Sequence, residues 1–217
     1  EKFFCFSNDF LHMKILVRLP NWLGDMVMSV GFINQLPFYF PGAELSVIAK
    51  KGIHNVLDLF PPHQHRFVFD KKKYKGVKGL RLFGDEIKQA EKFDLFFSLP
   101  NSFSAAIVAY TSGAEKRVGY RNELRQLMLT DSYAKPEGLH RADEYVRLLE
   151  LFTEKAPAPM KVLLDHEFEK KNYIVVNINS EASSRRLTVD KSVELVSTLR
   201  QSTDRVIHLV GSQKEKE

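Results

Sequence analysis

The sequence predicts an α/β fold in which helices cover a parallel, doubly wound sheet. Short apolar segments typical of buried strands alternate along the chain with segments whose apolar residues repeat at helical spacing. Parallel strands need such crossovers, and helices usually supply them. The first unit joins a strand to a buried helix through a short turn containing Gly24, an arrangement typical of α/β domains.

The elements follow from local patterns. Apolar runs rich in β-branched and aromatic residues predict strands at residues 14–18, 44–49, 66–69, 94–99 and 116–120. Helical spacing predicts helices at residues 26–36, 53–60, 80–92 and 102–110, and another from near His140 to Phe152. We expect Pro37 and Pro41-Gly42 to end the first helix, since proline cannot continue the hydrogen-bond pattern.

A proline pair divides the chain. Pro157 and Pro159 follow the last of these helices and predict an inter-domain linker over residues 154–161. Beyond it, a strand at 173–178, a helix at 189–200 and a strand at 205–210 form one βαβ unit. The predicted organisation is therefore an extension at 1–12, a domain at 13–153, the linker, and an incomplete second α/β domain at 162–217.

Composition narrows the class of protein. A hydrophobic content of 44% is sufficient for a substantial core, so the chain is globular. The single cysteine, Cys5, excludes an internal disulfide and is typical of a reducing compartment. No apolar run approaches the roughly 18 residues that a membrane span needs. The first twelve residues lack a basic leader and a small-residue cleavage site, so we expect no signal peptide.

The positive charge is concentrated in one segment. The chain carries a net charge of +5, yet residues 66–81 contain seven basic residues and one acid, Asp70. Two interpretations remain open for this basic segment. It is a solvated loop, or it is an anion-binding lip that attracts phosphates or an acidic membrane surface.

Asp25 is the main candidate for chemistry. It stands at the expected first turn of the first helix, where a negative charge is favoured, so an ordinary capping role is one interpretation. The helix that follows is apolar around nearly its whole circumference and should be buried, which puts Asp25 at the floor of a crevice. Arg18, at the end of the first strand, can bring positive charge to the same crevice. The loop is not Gly-x-Gly-x-x-Gly, which argues against a plain dinucleotide site.

Four motifs in order carry a resemblance to a known family. They are Arg18-x5-Gly24-Asp25, Leu99-Pro-Asn-Ser-Phe103, Arg117-Val-Gly-Tyr-Arg121 with Arg125, and Glu144-Tyr-x-x-Leu148. Together they resemble the ADP-heptose:lipopolysaccharide heptosyltransferases, in particular the heptosyltransferase II branch of glycosyltransferase family 9. The resemblance runs from Met13 to about Ser212.

The resemblance implies a GT-B architecture, in which two Rossmann-like domains bind the acceptor and the donor respectively. It implies inverting transfer of heptose from ADP-heptose to the inner core of lipopolysaccharide, with no metal and no cofactor, at the cytoplasmic face of the inner membrane. Asp25 would be the general base. The turn at 179–186 falls where the family binds the donor phosphates, and its candidates are Ser183, Ser184, Arg185 and Arg186.

The acceptor is anionic, so the resemblance implies basic acceptor-binding residues in the first domain. The candidates are Arg18, Asn101, Lys72, Arg81, Arg117, Arg121 and Arg125, the last three as one spaced set. The family also has a donor-contacting segment of the type Asp-Ser-Gly-x-x-His, and the 217 residues end before it. We therefore expect this chain to be part of a longer enzyme.

Several histidines, Ser102 and the basic segment raise other possible functions. His54, His63 and His65 suggest zinc, but no cysteine or suitably spaced carboxylate completes a four-ligand set. Ser102 lacks the Gly-x-Ser-x-Gly context of a hydrolase nucleophile. The basic segment with Tyr74 leaves a nucleic-acid-binding protein as one alternative, although no nucleic-acid-binding motif is recognisable. A non-catalytic anion-binding module is the other alternative.

Overall fold

The computed structural model describes residues 13–156, 162–179 and 186–211. The chain divides into two compact units, one ending at His166 and the other beginning at Glu167. The predicted extension at 1–12 and most of the predicted linker lie outside the described residues. The predicted domain limits therefore stay predictions.

The first unit contains a six-stranded parallel sheet. Its strands are β1 (Lys14–Arg18), β2 (Glu44–Lys50), β3 (Arg66–Phe69), β4 (Leu95–Ser98), β5 (Lys116–Tyr120) and β6 (Asp131–Tyr133). Its helices are α1 (Leu23–Met28), α2 (Val30–Tyr39), α3 (Gly76–Ala90), α4 (Phe103–Thr111) and α5 (Arg141–Thr153), with 3-10 helices at His54–Leu59 and Glu123–Met128. The strand order is β3-β2-β1-β4-β5-β6, and every neighbouring pair is parallel. The predicted doubly wound α/β fold is confirmed.

Each face of the sheet has its own core. On one face, Val17 and Phe97 pack with apolar residues of α2 and α5 such as Phe32 and Leu148. On the other face, the adjacent residues Leu16 and Phe96 pack with α3 and α4. Successive strand residues point to opposite faces, and both faces are covered, so the central strands β1 and β4 carry apolar residues at consecutive positions.

The prediction for the first helix was wrong in two respects. The segment forms two helices, α1 and α2, which meet at Ser29, whose hydroxyl donates to the Met26 carbonyl at 2.6 Å. Pro37 does not end α2, which continues to Tyr39. The free energy gained by burying Leu36, Tyr39 and Phe40 outweighs the cost of the hydrogen bond that proline cannot donate. The helix closes with a hydrogen bond from the Phe40 N–H to the Leu36 carbonyl.

Two further differences concern the segments around the basic residues. Helix α3 begins at Gly76 and not at Leu80 as predicted, so Lys78 lies on a helix together with Arg81. Leu80, Phe83 and Ile87 form its buried stripe. Strand β6 was not predicted, because three half-buried residues show no periodicity.

The second unit contains the predicted βαβ arrangement. Strand β7 (Tyr173–Val176) and strand β8 (Val206–Leu209) are parallel, and α6 (Val189–Ser202) connects them. The Thr188 hydroxyl caps α6 by accepting from the Lys191 N–H.

Candidate functional site

The carboxyl ends of β1 and β4 define the point at which the strand order reverses. In open α/β sheets, ligands bind in the crevice outside this point, because the connections from the two strands leave toward opposite faces. The Leu19 N–H donates to the Ile48 carbonyl at 2.9 Å, and the Leu99 N–H donates to the Arg18 carbonyl at 3.2 Å. The loops that carry Asp25 and Asn101 therefore start side by side.

Asp25 lies in the first turn of α1 and is half-buried. Its negative charge acts on two residues of α5, Arg141 and Tyr145. Burial raises the pKa of the Tyr145 phenol, and the Asp25 charge raises it further. Among the residues that the structure describes, none donates a hydrogen bond to the Asp25 carboxylate.

Arg141 is fixed beside Asp25 by a buried carboxylate. Glu144 is 5% exposed, and Arg141 Nη1 donates to both of its oxygens at 2.8 Å. Lys135 Nζ lies 3.4 Å from the same carboxylate, and the Tyr120 hydroxyl donates to the Glu144 backbone carbonyl. Burial lowers the pKa of Arg141, but the charge of Glu144, with smaller contributions from Tyr145 and Asp25, outweighs it and raises the value. Arg141 therefore keeps its positive charge, which interacts with the negative charge of Asp25.

Arg125 holds Asn101 at the crevice. It is 1% exposed, and its guanidinium donates to Asn101 Oδ1 and to Ser98 Oγ, each at 3.0 Å. Burial lowers the pKa of Arg125 to about 10. A Cβ atom on Gly119 would lie 2.9 Å from Arg125 Nη2, so the guanidinium fits in this position because residue 119 has no side chain. Arg125 orients a crevice residue and does not present a surface charge.

Arg18 is almost fully buried at the end of β1, with 4% of its surface exposed. Its Nη2 donates to Asn21 Oδ1 at 3.2 Å, and its guanidinium carbon lies 4.8 Å from the centroid of the Phe69 ring. Burial lowers the pKa of Arg18 to about 10. Its Nη1 has no hydrogen-bond partner in the described part of the chain. A buried donor without a partner is costly, so this atom points to a missing acceptor.

Arg18 lines a cleft of about 530 Å³, which also receives Lys50, Lys71 and Lys75. We call this the cationic cleft. Lys71 and Lys75 belong to the basic segment at 66–81, for which an anion-binding lip was one prediction, whereas Lys50, which ends β2, was not predicted. The rule that ligands gather at the carboxyl ends of parallel strands would have found it.

The other predicted basic residues are dispersed. Arg117 donates to the backbone carbonyls of Ala114 and Met128, contacts that support a structural role. Arg121 is exposed next to β6, and the side chain of Arg81 lies 3.7 Å from Asp85 on the same helix. Lys72 is exposed and does not line the cleft. The acceptor role of these residues stays a prediction.

The predicted donor residues are only partly described. Ser183, Ser184 and Arg185 lie outside the described residues, while Arg186 is exposed just before α6. Across the described ranges, no group of three or more histidine, cysteine, aspartate or glutamate side chains is arranged to hold a metal ion. Within the same ranges, no helix has both the length and the apolar character of a membrane span.

Several known proteins are similar to this chain. The sequence profile of glycosyltransferase family 9 (heptosyltransferase) matches residues 83–216. Lipopolysaccharide heptosyltransferase 2 of Escherichia coli strain K12 is 32% identical over 120 residues, which cover 55% of this chain and 34% of the relative. The chain thus spans about a third of the length of the curated relative it matches.

Solved structures show the same fold. The E. coli ADP-heptose lps heptosyltransferase II has a TM-score of 0.73 at 22% identity, with 94% of this chain and 66% of that chain covered. The E. coli heptosyltransferase WaaC with ADP-2-deoxy-2-fluoro heptose has a TM-score of 0.77 at 13% identity, with 94% and 71% covered.

Proposed function

Because this chain belongs to glycosyltransferase family 9, the heptosyltransferases, we propose that it is an inverting enzyme that moves heptose from ADP-heptose to the inner core of lipopolysaccharide. The relative with the matching sequence is a lipopolysaccharide heptosyltransferase, and the WaaC structure contains an ADP-heptose analogue. Family membership does not favour the nucleic-acid-binding or non-catalytic alternatives.

Asp25 is the proposed general base, and its position carries the proposal. It is half-buried in the first turn of α1, close to the carboxyl end of β1, with Arg141 alongside. In the reaction, the acceptor hydroxyl oxygen attacks the anomeric carbon of heptose from the face opposite to ADP. The bond from that carbon to the diphosphate oxygen breaks, ADP leaves with the electron pair, and Asp25 takes the hydroxyl proton. One displacement of this kind inverts the anomeric configuration.

The leaving group explains why one carboxylate is sufficient. ADP needs neutralisation of its negative charge and not a proton, so the paired acids of glycoside hydrolases are unnecessary. We propose that Arg186, with Arg185, Ser183 and Ser184, supplies this neutralisation in place of a metal ion or cofactor. Arginine suits the task because its planar guanidinium binds phosphate oxygens in pairs.

Acceptor binding is proposed for the first unit. Asn101 is presented at the crevice by Arg125, and Arg18 lies at the end of the neighbouring strand. These groups would orient the saccharide so that its hydroxyl reaches Asp25. The acceptor is a membrane lipid, so we also propose that the protein works at the cytoplasmic face of the inner membrane.

The test is ADP release from ADP-heptose by the intact gene product. The assay is run in EDTA, with and without a heptose-bearing lipopolysaccharide acceptor, for the wild type and for Asp25→Asn. We expect acceptor-dependent release that falls by 10²- to 10⁴-fold in the variant, the usual contribution of a general base. The anomeric configuration of the product is read by NMR.

Asp143→Asn is the matched control. Asp143 also lies in the first turn of a helix, α5, but is exposed, so this change removes a similar helix-end charge without touching the crevice. It should leave ADP release within about twofold of the wild type, since a charge at an exposed helix end contributes only about 0.3–1 kcal/mol to stability. Full activity of a folded Asp25→Asn protein would eliminate Asp25 as the base, and ADP release that is independent of acceptor would eliminate the transferase.

A further inference from the structure

The cationic cleft combines several positive groups with no acidic side chain among the described residues that line it. Arg18, Lys50, Lys71 and Lys75 contribute four formal positive charges. The nearest acid in sequence, Asp70, is already engaged, since its carboxylate binds Lys51 Nζ at 2.7 Å and accepts from the Lys72 N–H at 2.8 Å. The cleft therefore has a surplus of positive charge that nothing on its own walls neutralises.

Helix α3 adds a second source of positive potential. It starts at Gly76, which lines the cleft, and its N-cap residue, Lys75, makes no side-chain capping hydrogen bond. Its first turn contains no acidic residue. The free N–H groups and the dipole at the start of a helix of fifteen residues favour a phosphate.

Arg18 supplies the independent observation that a ligand is expected here. Arg18 is 4% exposed and lines the cleft, and its Nη1 has no partner in the described part of the chain. The stacked rings of Phe69 and Tyr74, with centroids 5.9 Å apart, lie on the same wall and restrict its movement. An oxyanion in the cleft would give Nη1 the acceptor that it lacks.

The remaining walls suit a sugar. Trp22 is 60% exposed and lines the cleft, with Lys50 Nζ 5.7 Å from its ring centroid. A volume of about 530 Å³ is in the usual range for a small-molecule site and much larger than one phosphate. Trp22 is also only three residues before Asp25. A ligand anchored in the cleft would thus lie next to the loop that carries the proposed base.

We propose that the cationic cleft is a phosphate subsite and that the acceptor saccharide carries a phosphate that binds in it. Arg18 and the α3 N-terminus hold the phosphate, Lys50, Lys71 and Lys75 neutralise it, and Trp22 packs against the sugar. A single carboxylate would neutralise only part of the positive charge of the cleft, which favours a phosphate over the carboxylate of an acidic sugar. The identification of the ligand as the acceptor rests on the proposed function, whereas phosphate binding itself does not.

Trp22 makes the site directly measurable. It is the only tryptophan in the 217 residues, so intrinsic fluorescence reports on the wall of the cleft. The protein is titrated at constant ionic strength with inorganic phosphate, a hexose 6-phosphate, glucuronate and free hexose. We expect saturable changes for both phosphates, tighter binding of the sugar phosphate, and at least tenfold weaker binding of glucuronate. No saturable change with either phosphate, or equal affinity for glucuronate, would overturn the proposal.

Variants locate the bound phosphate. Arg18→Gln should weaken sugar phosphate binding by at least tenfold, and Lys75→Gln, on an exposed residue that does not endanger folding, by about threefold or more. Lys88→Gln is the matched control, since Lys88 is exposed in the last turn of the same helix and does not line the cleft. If Lys75→Gln binds as tightly as Lys88→Gln, the phosphate is not in this cleft.

Transfer kinetics separate the two proposals. The ratio kcat/KM is compared for the acceptor before and after phosphatase treatment, and we expect a loss of at least tenfold on treatment that is absent in Arg18→Gln. Saturable phosphate binding without any heptose transfer would leave the subsite intact and remove the proposed function. Normal transfer that is insensitive to phosphatase, with no phosphate binding, would remove the subsite alone.

Discussion

Gly119→Ala should displace Arg125 from its position behind Asn101. The new Cβ would lie 2.9 Å from Arg125 Nη2, and 3.3 Å from both Leu129 Cδ1 and the Ser98 carbonyl oxygen. A carbon atom 2.9 Å from a nitrogen is closer than van der Waals contact allows, so the guanidinium must leave its present position. Because Arg125 is buried in close-packed surroundings, it has no equivalent position to move to. Its hydrogen bonds to Ser98 Oγ and Asn101 Oδ1, both 3.0 Å long, would then break.

The expected cost follows from those two bonds. Each hydrogen bond to a charged group contributes about 1.5–3 kcal/mol, so losing both costs at least about 3 kcal/mol. Replacing glycine by alanine in a strand returns about 0.5–1 kcal/mol of backbone entropy. Gly119→Ala should therefore lower the free energy of unfolding by about 2 kcal/mol. In an Arg125→Met background the guanidinium is absent, and the cost should fall below about 1 kcal/mol.

The assay is urea denaturation followed by the fluorescence of Trp22, which lies in the first unit. Gly24→Ala is the matched control, since a Cβ at Gly24 meets nothing within 4 Å and alanine is the better helix former. Gly24→Ala should raise the free energy of unfolding, by no more than about 1 kcal/mol. An equal cost of Gly119→Ala with and without the guanidinium would refute the reasoning.

Two further predictions concern the basic surface around α3 and the buried Tyr145. Lys72, Lys78 and Arg81 are exposed together with Val77 and Leu82. The protein should therefore cosediment with anionic vesicles at low salt and be released at high salt. A Lys72→Gln/Arg81→Gln variant should bind these vesicles less than a Lys88→Gln/Lys92→Gln control of equal charge. Equal vesicle binding by both variants would exclude this surface. Burial, followed by the charge of Asp25, raises the pKa of Tyr145 above its ordinary value of 10.0, so the folded state keeps a proton that the unfolded state loses as pH rises past 10. Urea denaturation should show that the free energy of unfolding of the wild type, relative to Tyr145→Phe, falls by about 1.4 kcal/mol between pH 8 and pH 11. A difference between the two proteins that stays the same across this pH range would contradict the prediction.

Much of the fold could be predicted because its signals are local. The bounds of β1, β3 and β5 agree with the predicted strands, since each is a short segment that contains β-branched or aromatic residues. The first-turn position of Asp25 was also predictable from strand, turn and helix in immediate succession. The continuation of α2 past Pro37 was not, because burial of Tyr39 and Phe40 by distant residues overrides the local preference of proline.

The sequence by itself determined the alternation of strands and helices, the concentration of basic residues, and the place of Asp25 in the first turn of a helix. Only the tertiary structure decided which charges meet. Arg125 is buried against Ser98, 27 residues away, while Lys50 at the end of β2 and Lys71 and Lys75 between β3 and α3 line one cleft with Arg18. The physical reason is that parallel strands bring their carboxyl ends to one edge from distant parts of the chain, so a site at that edge has no continuous pattern in the sequence.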